Sequence, residues 1–469
     1  MNFFKKKSFD SVKSLSSSSG LDKNLTAFDL ILLGLGGIVG TGVFALTGMV
    51  AAQYSGPAIT LSYAIAGFVC IFVALAYTEL ATMLPTSGSI YTYSYIAFGE
   101  VIAWLVGGVI LIELGISASA VAGTWAAYVQ GVLISAGIGL PDYLVKTPFE
   151  GGVMNLPAFL VVVLVGGMLY RGTKESKMLN TVLVVVKMLA IFLFVFLAAP
   201  KFDPSNWENF MPYGFDDVLR GSSILFFAFT GFGTLASAAE ECKNPKRDLT
   251  IGIIGSLLLA TVVYIAVGAS LTGVASYTEL NTPEALAYAL RLVGSDVGSA
   301  LVSTGAIAGM TTVIMMNTYG ISRIFYVIAR DGLLPKSLAK LHHKYESPYV
   351  ALIFFVLLLA SLGALVPYQL LAQLSSMGAL LDYTVVILAV TLFRLKYPSV
   401  ERSFKCPMIF VVAPAALIAV VYLLFKQIIG NNGELLMTGE VFIWWFIIVF
   451  VLYLVKIFLG SSERSLEDQ

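Results

Sequence analysis

The chain has 469 residues, of which 58% are hydrophobic and 12% are charged, and its 28 basic residues balance its 28 acidic residues. A soluble core of this size cannot hide so much apolar surface, so the composition indicates that lipid surrounds most of the chain. The balanced charge argues against a nucleic-acid partner. Three distant cysteines (Cys70, Cys242 and Cys406) show neither a disulfide framework nor metal-ligand spacing.

Residues 1–24 are polar, with Lys5, Lys6, Lys7 and a serine run, and they show no cleavable signal peptide. We interpret them as a cytoplasmic tail. We assign residues 25–460 to a membrane domain and residues 461–469 to a second cytoplasmic tail. The first apolar span then acts as its own insertion signal and stays in the protein.

The apolar stretches predict an all-α polytopic membrane protein with twelve transmembrane helices, since about 20 apolar residues cross the hydrocarbon core. The spans are 28–50, 58–83, 98–133, 155–170, 176–199, 218–239, 250–274, 296–322, 349–366, 370–393, 408–427 and 440–459. With both termini in the cytoplasm, 22 of the 28 basic residues fall in cytoplasmic segments and five in outer segments. This asymmetry satisfies the positive-inside rule and supports the count of helices. We expect the protein to lie in the plasma membrane.

The first predicted helix contains five glycines within Gly34–Gly42. Each costs a helix about 1 kcal/mol relative to alanine, so we expect the helix to break. Unwound backbone at membrane depth needs protein, water or a ligand to satisfy it. The N–H groups of Val39–Gly42 suit a carboxylate at a half-helix N-terminus, and nearby carbonyls suit an ammonium group. The alternative is close helix packing through Gly36 and Gly40.

The sixth predicted helix contains Gly231 and Gly233 within an aromatic stretch. A break there would free the carbonyls of residues 227, 228 and 230. Phe229 or Phe232 would then form a lid over a bound side chain, or simply face lipid or neighbouring helices. Because the two glycine-rich helices lie five helices apart, corresponding helices of the two halves run in opposite directions. This position predicts two inverted five-helix repeats, followed by two extra helices.

Lys187 lies about eleven residues into the fifth span, roughly 16 Å deep at 1.5 Å per residue. An ionisable group at that depth is costly and is a functional candidate by default. We expect it to replace a coupling cation and to link proton movement to transport. The alternative is a lysine that is permanently paired and has a structural role.

Glu113 is an acidic group that we also place well inside the membrane. There it either faces a substrate or makes a structural hydrogen bond. We expect Glu79 to lie at an interface or gate. The cluster Glu240–Glu241 is either an inner gate or a solvated surface. His342 and His343 fit a solvated loop better than a metal site, and Asp382 has no assigned role. We therefore expect no metal and no cofactor.

Four motifs together resemble the bacterial members of the amino acid–polyamine–organocation superfamily, closest to its cationic amino acid transporter branch. They occupy residues 25–44, 85–95, 238–248 and 329–335. The resemblance implies inverted repeats and proton-coupled amino acid uptake, with Lys187 as the coupling lysine and Glu113 near the substrate pocket. Its implied substrate-binding residues are Ile38, Val39, Gly40, Thr41, Gly42, Phe227, Ala228 and Thr230.

The chain departs from many relatives at Gly233, where they carry an aspartate. A cationic side chain would therefore meet fewer counter-charges in a poorly solvated site, where an unpaired charge is costly. We accordingly expect neutral, branched-chain or other apolar L-amino acids as substrates. The alternatives are a cationic amino acid permease and an amino acid exchanger.

The expected partners are thus a small amino acid, protons and the lipid bilayer, with no obligate protein partner evident. A membrane enzyme would need a catalytic constellation that two loop histidines do not supply. A channel would give non-saturating flux, and a sensor would leave accumulation unchanged when deleted. We favour alternating access around a site at the bilayer midplane.

Overall fold

The computed structural model describes residues 25–467, apart from 85, 87, 171–175, 234, 236–241, 344–346, 401 and 431. The predicted tail 1–24 and the pair Glu240–Glu241 lie outside the described residues. Sixteen α-helices dominate the described part, joined by short 3₁₀ and π-helical turns. They are α1 Ala27–Ile38, α2 Thr47–Val50, α3 Ile59–Met83, α4 Ser89–Ala97, α5 Glu100–Ile110, α6 Ser117–Ser135, α7 Leu156–Tyr170, α8 Ser176–Ala198, α9 Phe215–Leu225, α10 Pro245–Val274, α11 Ala285–Leu292, α12 Asp296–Arg330, α13 Tyr349–Leu365, α14 Tyr368–Lys396, α15 Ile409–Ile428 and α16 Met437–Glu467.

Eight helical runs in the described residues are long and apolar enough to cross a membrane, judged by length and composition. Three shorter apolar helices, α1, α7 and α13, accompany them. The eight runs are Gly42–Met83, Glu100–Ile134, Thr181–Lys201, Arg247–Val274, Asp296–Arg330, Tyr368–Lys396, Ile409–Ile428 and Met437–Ile457. The chain is thus an all-helical protein suited to crossing a membrane several times.

The first glycine-rich helix is interrupted, as its composition predicted. Thr26 caps α1 through a reciprocal capping box with Asp29, and the helix ends at Ile38. Val39 is extended, with φ −80° and ψ 105°, and helical structure resumes with the π-helical turn Gly42–Leu46. We call residues 39–41, which separate α1 from this turn, the first break.

The second interruption follows α9. A 3₁₀ turn, Phe226–Phe229, ends at Thr230, whose φ of −60° and ψ of 153° are extended. Gly231 then adopts φ +100°, a left-handed conformation that glycine tolerates and other residues rarely adopt. We call residues 230–233 the second break. The apolar span predicted for 218–239 is therefore not one continuous helix.

The helices around the breaks form the buried centre of the protein. α10 packs against α1 and α3, and α12 packs against α8 and α6. The predicted third span is continuous in direction but contains a π-helical turn, Leu111–Ile116, between α5 and α6. α14 crosses this turn and also contacts the 3₁₀ turn before the second break. The fold thus brings segments far apart in sequence around both interruptions.

Candidate functional site

The two interrupted helices lie directly against each other beside their breaks. An ideal Cβ added to Gly231 would lie 2.8 Å from the carbonyl oxygen of Gly37 and 3.0 Å from its carbonyl carbon. A Cβ added to Gly42 would overlap Ala228. Side chains at these positions would force the two segments apart. Glycine therefore serves close approach at these positions as well as helix interruption.

Two glycines of the first glycine run have different surroundings. A Cβ on Gly40 would lie 2.8 Å from Cγ2 of Val313 on α12, so this glycine serves helix packing. Gly36, four residues earlier, presents its carbonyl oxygen to a lysine rather than to the next helical turn. Close packing and an open helix end therefore coexist within five residues.

Lys187 extends from α8 to the end of α1. Its side chain is fully buried, and Nζ donates to the carbonyl oxygens of Gly36 and Val39, both at 2.8 Å. Nζ also lies 3.3 Å from the hydroxyl oxygen of Thr312 on α12. A Cβ on Gly309 would approach the lysine stem, so this glycine leaves room for it. The ammonium thus replaces the hydrogen bonds that the helix loses at the first break.

Tyr264 on α10 connects the two breaks. Its hydroxyl lies 3.0 Å from the carbonyl oxygen of Ile38 and 2.8 Å from that of Ala228. A phenol has one proton, so the two carbonyls share a single donor. Tyr63 acts similarly on the other side of the first break, where its hydroxyl donates to the Gly42 carbonyl at 3.0 Å. Tyrosine hydroxyls therefore donate to backbone carbonyls on both sides of the first break.

Two more of the predicted backbone groups also have partners within the protein in this arrangement. The Val39 N–H donates to the Leu35 carbonyl at 3.0 Å. The Phe227 carbonyl accepts from both the N–H and the hydroxyl of Thr230, at 3.3 Å and 2.8 Å. A ligand binding to these groups would therefore have to displace the existing bonds.

Thr41 differs from its neighbours because its side-chain oxygen is unsatisfied. The residue is 1% exposed, and Oγ1 makes no hydrogen bond in the described structure. Buried hydroxyls nearly always have a partner, so an orphaned one in a helix break indicates where a polar ligand would add a bond. This atom lies between the glycines at positions 40 and 42.

The phenylalanines of the second break pack on neighbouring helices. Phe229 is fully buried, and its ring centroid lies 5.2 Å from that of Tyr264 and 6.4 Å from that of Tyr63. Phe232 is also fully buried, with centroids 5.6 Å from Tyr77 and 5.1 Å from Tyr383. Neither ring faces lipid, so each can move only together with its aromatic neighbours.

Gly233 and Glu113 complete the predicted residues. Gly233 is partly buried, and its carbonyl accepts from the Tyr77 hydroxyl at 3.2 Å. Glu113 lies in the π-helical turn, is 7% exposed, and accepts through its backbone carbonyl from Ser375 on α14 at 2.8 Å. Its carbonyl thus ties the π-helical turn to α14.

The other ionisable groups singled out in the sequence lie elsewhere. Glu79 is 1% exposed and pairs with Arg394 and Arg402, at shortest N–O distances of 2.5 Å and 3.0 Å. These ion pairs join α3 to the end of α14 and to the segment that follows it. His342 packs on aromatic rings, including that of Tyr170 at 5.3 Å.

The sequence reasoning missed the tyrosines and the threonine that serve the breaks. Tyr63 and Tyr264 are fully buried, as is Thr312 beside Lys187. A phenol inside an apolar span needs a hydrogen-bond partner. An isolated tyrosine in a predicted span was therefore a usable signal. Which carbonyl it serves depends on helix packing and cannot be read from local sequence.

These features define a multi-pass helical membrane protein in which two interrupted helices meet in the interior. The chain belongs to the amino acid permease family, because the family profile for amino acid permeases matches residues 25–453. This match confirms the resemblance found in the sequence. It also places the chain among transport proteins rather than enzymes.

Individual relatives point the same way. The chain is 40% identical to the branched-chain amino acid permease BcaP of Bacillus subtilis (strain 168), over 99% of each chain. It is 38% identical to the methylthioribose transporter of the same strain, over 88% of this chain and 90% of that protein. It is 36% identical to the chloroplastic cationic amino acid transporter 9 of Arabidopsis thaliana, over 81% and 68% respectively.

Proposed function

We propose that the protein is a proton-coupled importer of neutral, branched-chain or other apolar L-amino acids. The observation that carries this proposal is the meeting of two broken helices at a fully buried lysine and an unsatisfied threonine hydroxyl. Broken helices expose backbone donors and acceptors where a zwitterion needs them. Alternating access would expose this region to each side of the membrane in turn.

The substrate would bind by exchanging partners with the protein. Thr41 Oγ1 and the N–H groups of residues 40–42 would receive the carboxylate at the start of the resumed helix, where the helix dipole favours negative charge. The carbonyls of Ile38 and Ala228 would receive the ammonium group in place of the Tyr264 hydroxyl. Carbonyls at 227 and 230 complete this set. Substrate binding would thus break the hydrogen bonds between the Tyr264 hydroxyl and these two carbonyls.

The preference for apolar side chains rests on two observations. Gly233 supplies no carboxylate at the second break, so a cationic side chain gains no charge partner there. The rings of Phe229 and Phe232 provide an apolar surface beside the same segment. The branched-chain permease of Bacillus subtilis, 40% identical over almost the whole chain, supports this preference.

We propose that the protein lies in the plasma membrane and crosses it twelve times. Both termini would then lie in the cytoplasm. The run Gly42–Met83 turns at Gly56, where φ is +57°, so it supplies half of one span and all of the next. The first half of this run joins α1 to form one span, so the eight runs supply nine spans. The helices α7 and α13 and the segment that contains α9 supply the other three. The inverted repeats follow from this count and from the positions of the breaks.

Lys187 would couple transport to protons because its charge holds the first break together. A protonated amine donates to both carbonyls at once and bears a positive charge, as a bound cation would. Loss of the proton would weaken these contacts and release the end of α1. The protonation state of one side chain would then bias the conformation of the break.

The test is uptake of labelled leucine into proteoliposomes with and without an inward proton gradient. Lys187→Met should insert and purify normally but lose gradient-driven accumulation. Lys146→Met is the matched control, since Lys146 lies in an exposed loop paired with Asp142. Gradient-driven uptake that survives in Lys187→Met would refute the coupling role.

Competition and counterflow separate the two alternatives. A cationic permease would show unlabelled lysine displacing leucine more strongly than isoleucine or valine does; the 36% identical cationic transporter makes this comparison necessary. An exchanger would take up leucine faster when leucine is preloaded inside, even without a proton gradient. Saturating uptake inhibited by branched-chain amino acids and driven by protons would support the proposal.

A further inference from the structure

α14 brings a second buried acidic group close to Glu113. Asp382 is 3% exposed and Glu113 is 7% exposed. Ser375 bonds to the Glu113 carbonyl, and a Cβ added to Gly378 would lie 2.9 Å from the Glu113 amide nitrogen. Asp382 follows Gly378 by four residues, about one helical turn or 6 Å along the same face. The two carboxyl groups accordingly interact electrostatically.

Two polar atoms at this place have no partner. Asp382 Oδ1 and the Tyr383 hydroxyl make no hydrogen bond in the described structure, although both residues are almost fully buried. The Tyr383 hydroxyl interacts electrostatically with Glu113 and with Asp382, so it faces the same small region. Native proteins rarely leave such atoms unsatisfied. Their position beside Glu113 marks a polar site within the protein interior.

The ionisable groups around the pair are neutral or acidic. α3 contributes Tyr77 and Cys70, α14 contributes Tyr383, and α4 contributes Tyr93 next to Tyr77. Among described residues, no lysine or arginine contributes to the electrostatic environment of Asp382. Two carboxylates without a cation are strongly unfavourable in a poorly solvated interior. A single positive charge is therefore needed there.

We propose that Glu113 and Asp382 together bind one exchangeable proton, forming a second proton site separate from Lys187. The proton comes from water, forms an O–H bond with one carboxyl oxygen and is hydrogen-bonded to the other carboxylate. Its release breaks that O–H bond and returns the proton to water. The site extends the proton coupling proposed above, but its test does not require transport.

The aromatic packing links this site to the second break. The Tyr383 and Tyr77 rings both contact Phe232, at centroid distances of 5.1 Å and 5.6 Å. Phe232 follows Gly231, whose backbone lies against Gly37 near the end of α1. A rearrangement of the breaks would move Phe232 and change how water reaches the carboxyl pair. Proton exchange at the pair would therefore depend on the conformation of the transporter.

Infrared spectroscopy of the purified full-length protein in lipid tests the proposal directly. Near neutral pH the wild type should show the C=O stretching band of a protonated carboxyl group, and the band should shift in D₂O. Glu113→Gln and Asp382→Asn keep the side-chain shapes and should each remove or displace this band. A wild type without such a band overturns the proposal, whether or not either variant folds.

Two further variants make the assignment specific. Glu100→Gln should leave the band unchanged, because Glu100 pairs with Lys456 at 3.2 Å and lies outside the carboxyl pair. Lys187→Met should also leave it unchanged, since the pair holds its proton independently. Loss of the band in Lys187→Met, or its persistence in both acid-pair variants, overturns the proposal. A carboxylate spectrum that responds to sodium ions instead of pH would also overturn it.

Discussion

Gly231→Ala tests whether the contact between the two breaks controls the working conformation. Gly231 adopts φ +100°, and a Cβ there would lie 2.8 Å from the carbonyl oxygen of Gly37. The left-handed conformation costs a non-glycine residue about 1–2 kcal/mol. Overpacking adds about 1–3 kcal/mol. We therefore expect this arrangement to lose at least about 2 kcal/mol, which corresponds to about a 30-fold fall in its population.

The matched control is Gly137→Ala. Gly137 has a similar backbone conformation, φ +79°, but a Cβ there would meet nothing within 4 Å. Gly137 lies in an exposed loop, so Gly137→Ala should be destabilised only by the left-handed backbone conformation. The difference between the two variants isolates the steric contact between the broken segments.

The assay combines thermal unfolding of the purified proteins with initial rates of leucine uptake into proteoliposomes. Gly231→Ala should unfold at a lower temperature than Gly137→Ala and should transport at least about tenfold more slowly, since 1.4 kcal/mol corresponds to a factor of ten. Equal stability and equal uptake in the two variants would refute the reasoning. The close approach of the breaks would then have no energetic role.

Three other perturbations test separate contacts. Tyr264→Phe should lower the temperature of thermal unfolding, because a buried carbonyl left without a donor costs about 1–3 kcal/mol. Glu79→Gln should lower the temperature of thermal unfolding, since it leaves the guanidinium groups of Arg394 and Arg402 without their carboxylate, and breaking a buried pair costs about 3 kcal/mol or more. Burial raises the pKa of the Cys406 thiol to about 11, so its alkylation, followed by mass spectrometry, should be slow at pH 7 and rise about tenfold per pH unit below that pKa.

Each of these three predictions has a control or an outcome that would contradict it. Tyr213→Phe removes an exposed hydroxyl bonded to the Ala52 carbonyl. If it lowered the unfolding temperature as much as Tyr264→Phe does, the buried phenol would have no special role. Asp142→Asn breaks an exposed ion pair with Lys146, which is worth at most about 1 kcal/mol. A larger loss there than in Glu79→Gln would contradict the burial argument. Alkylation of Cys406 that is fast at pH 7 would show that the thiol is accessible and ionised.

Much of the site could be predicted because the relevant signals are local. Glycine clusters interrupt helices wherever they fall, and the breaks at 39–41 and 230–233 lie where Gly40 and Gly231 predicted them. A lysine deep in an apolar span must find a partner, and Lys187 has carbonyl partners in the structure. The π-helical turn that holds Glu113 was not predicted, since no comparable glycine signal marks it.

The short helices α4 and α11 were also not predicted. Neither is long enough to cross a membrane, so span-length reasoning has no means of finding them. The sequence did not decide whether Phe229 and Phe232 cover a bound side chain, face lipid or face neighbouring helices. Packing decided in favour of protein, because the rings of Phe229 and Phe232 lie among tyrosines from other helices.

The sequence by itself determined that this chain is a helical membrane protein of the amino acid permease family with two interrupted helices. Composition, charge distribution and glycine placement act locally and leave few alternatives in lipid. Only the tertiary structure decided which groups satisfy the interrupted backbone. Lys187 reaches a carbonyl 151 residues away and Tyr264 one 226 residues away. Such partners depend on how helices pack, because every buried polar group competes for the few donors that packing brings within reach.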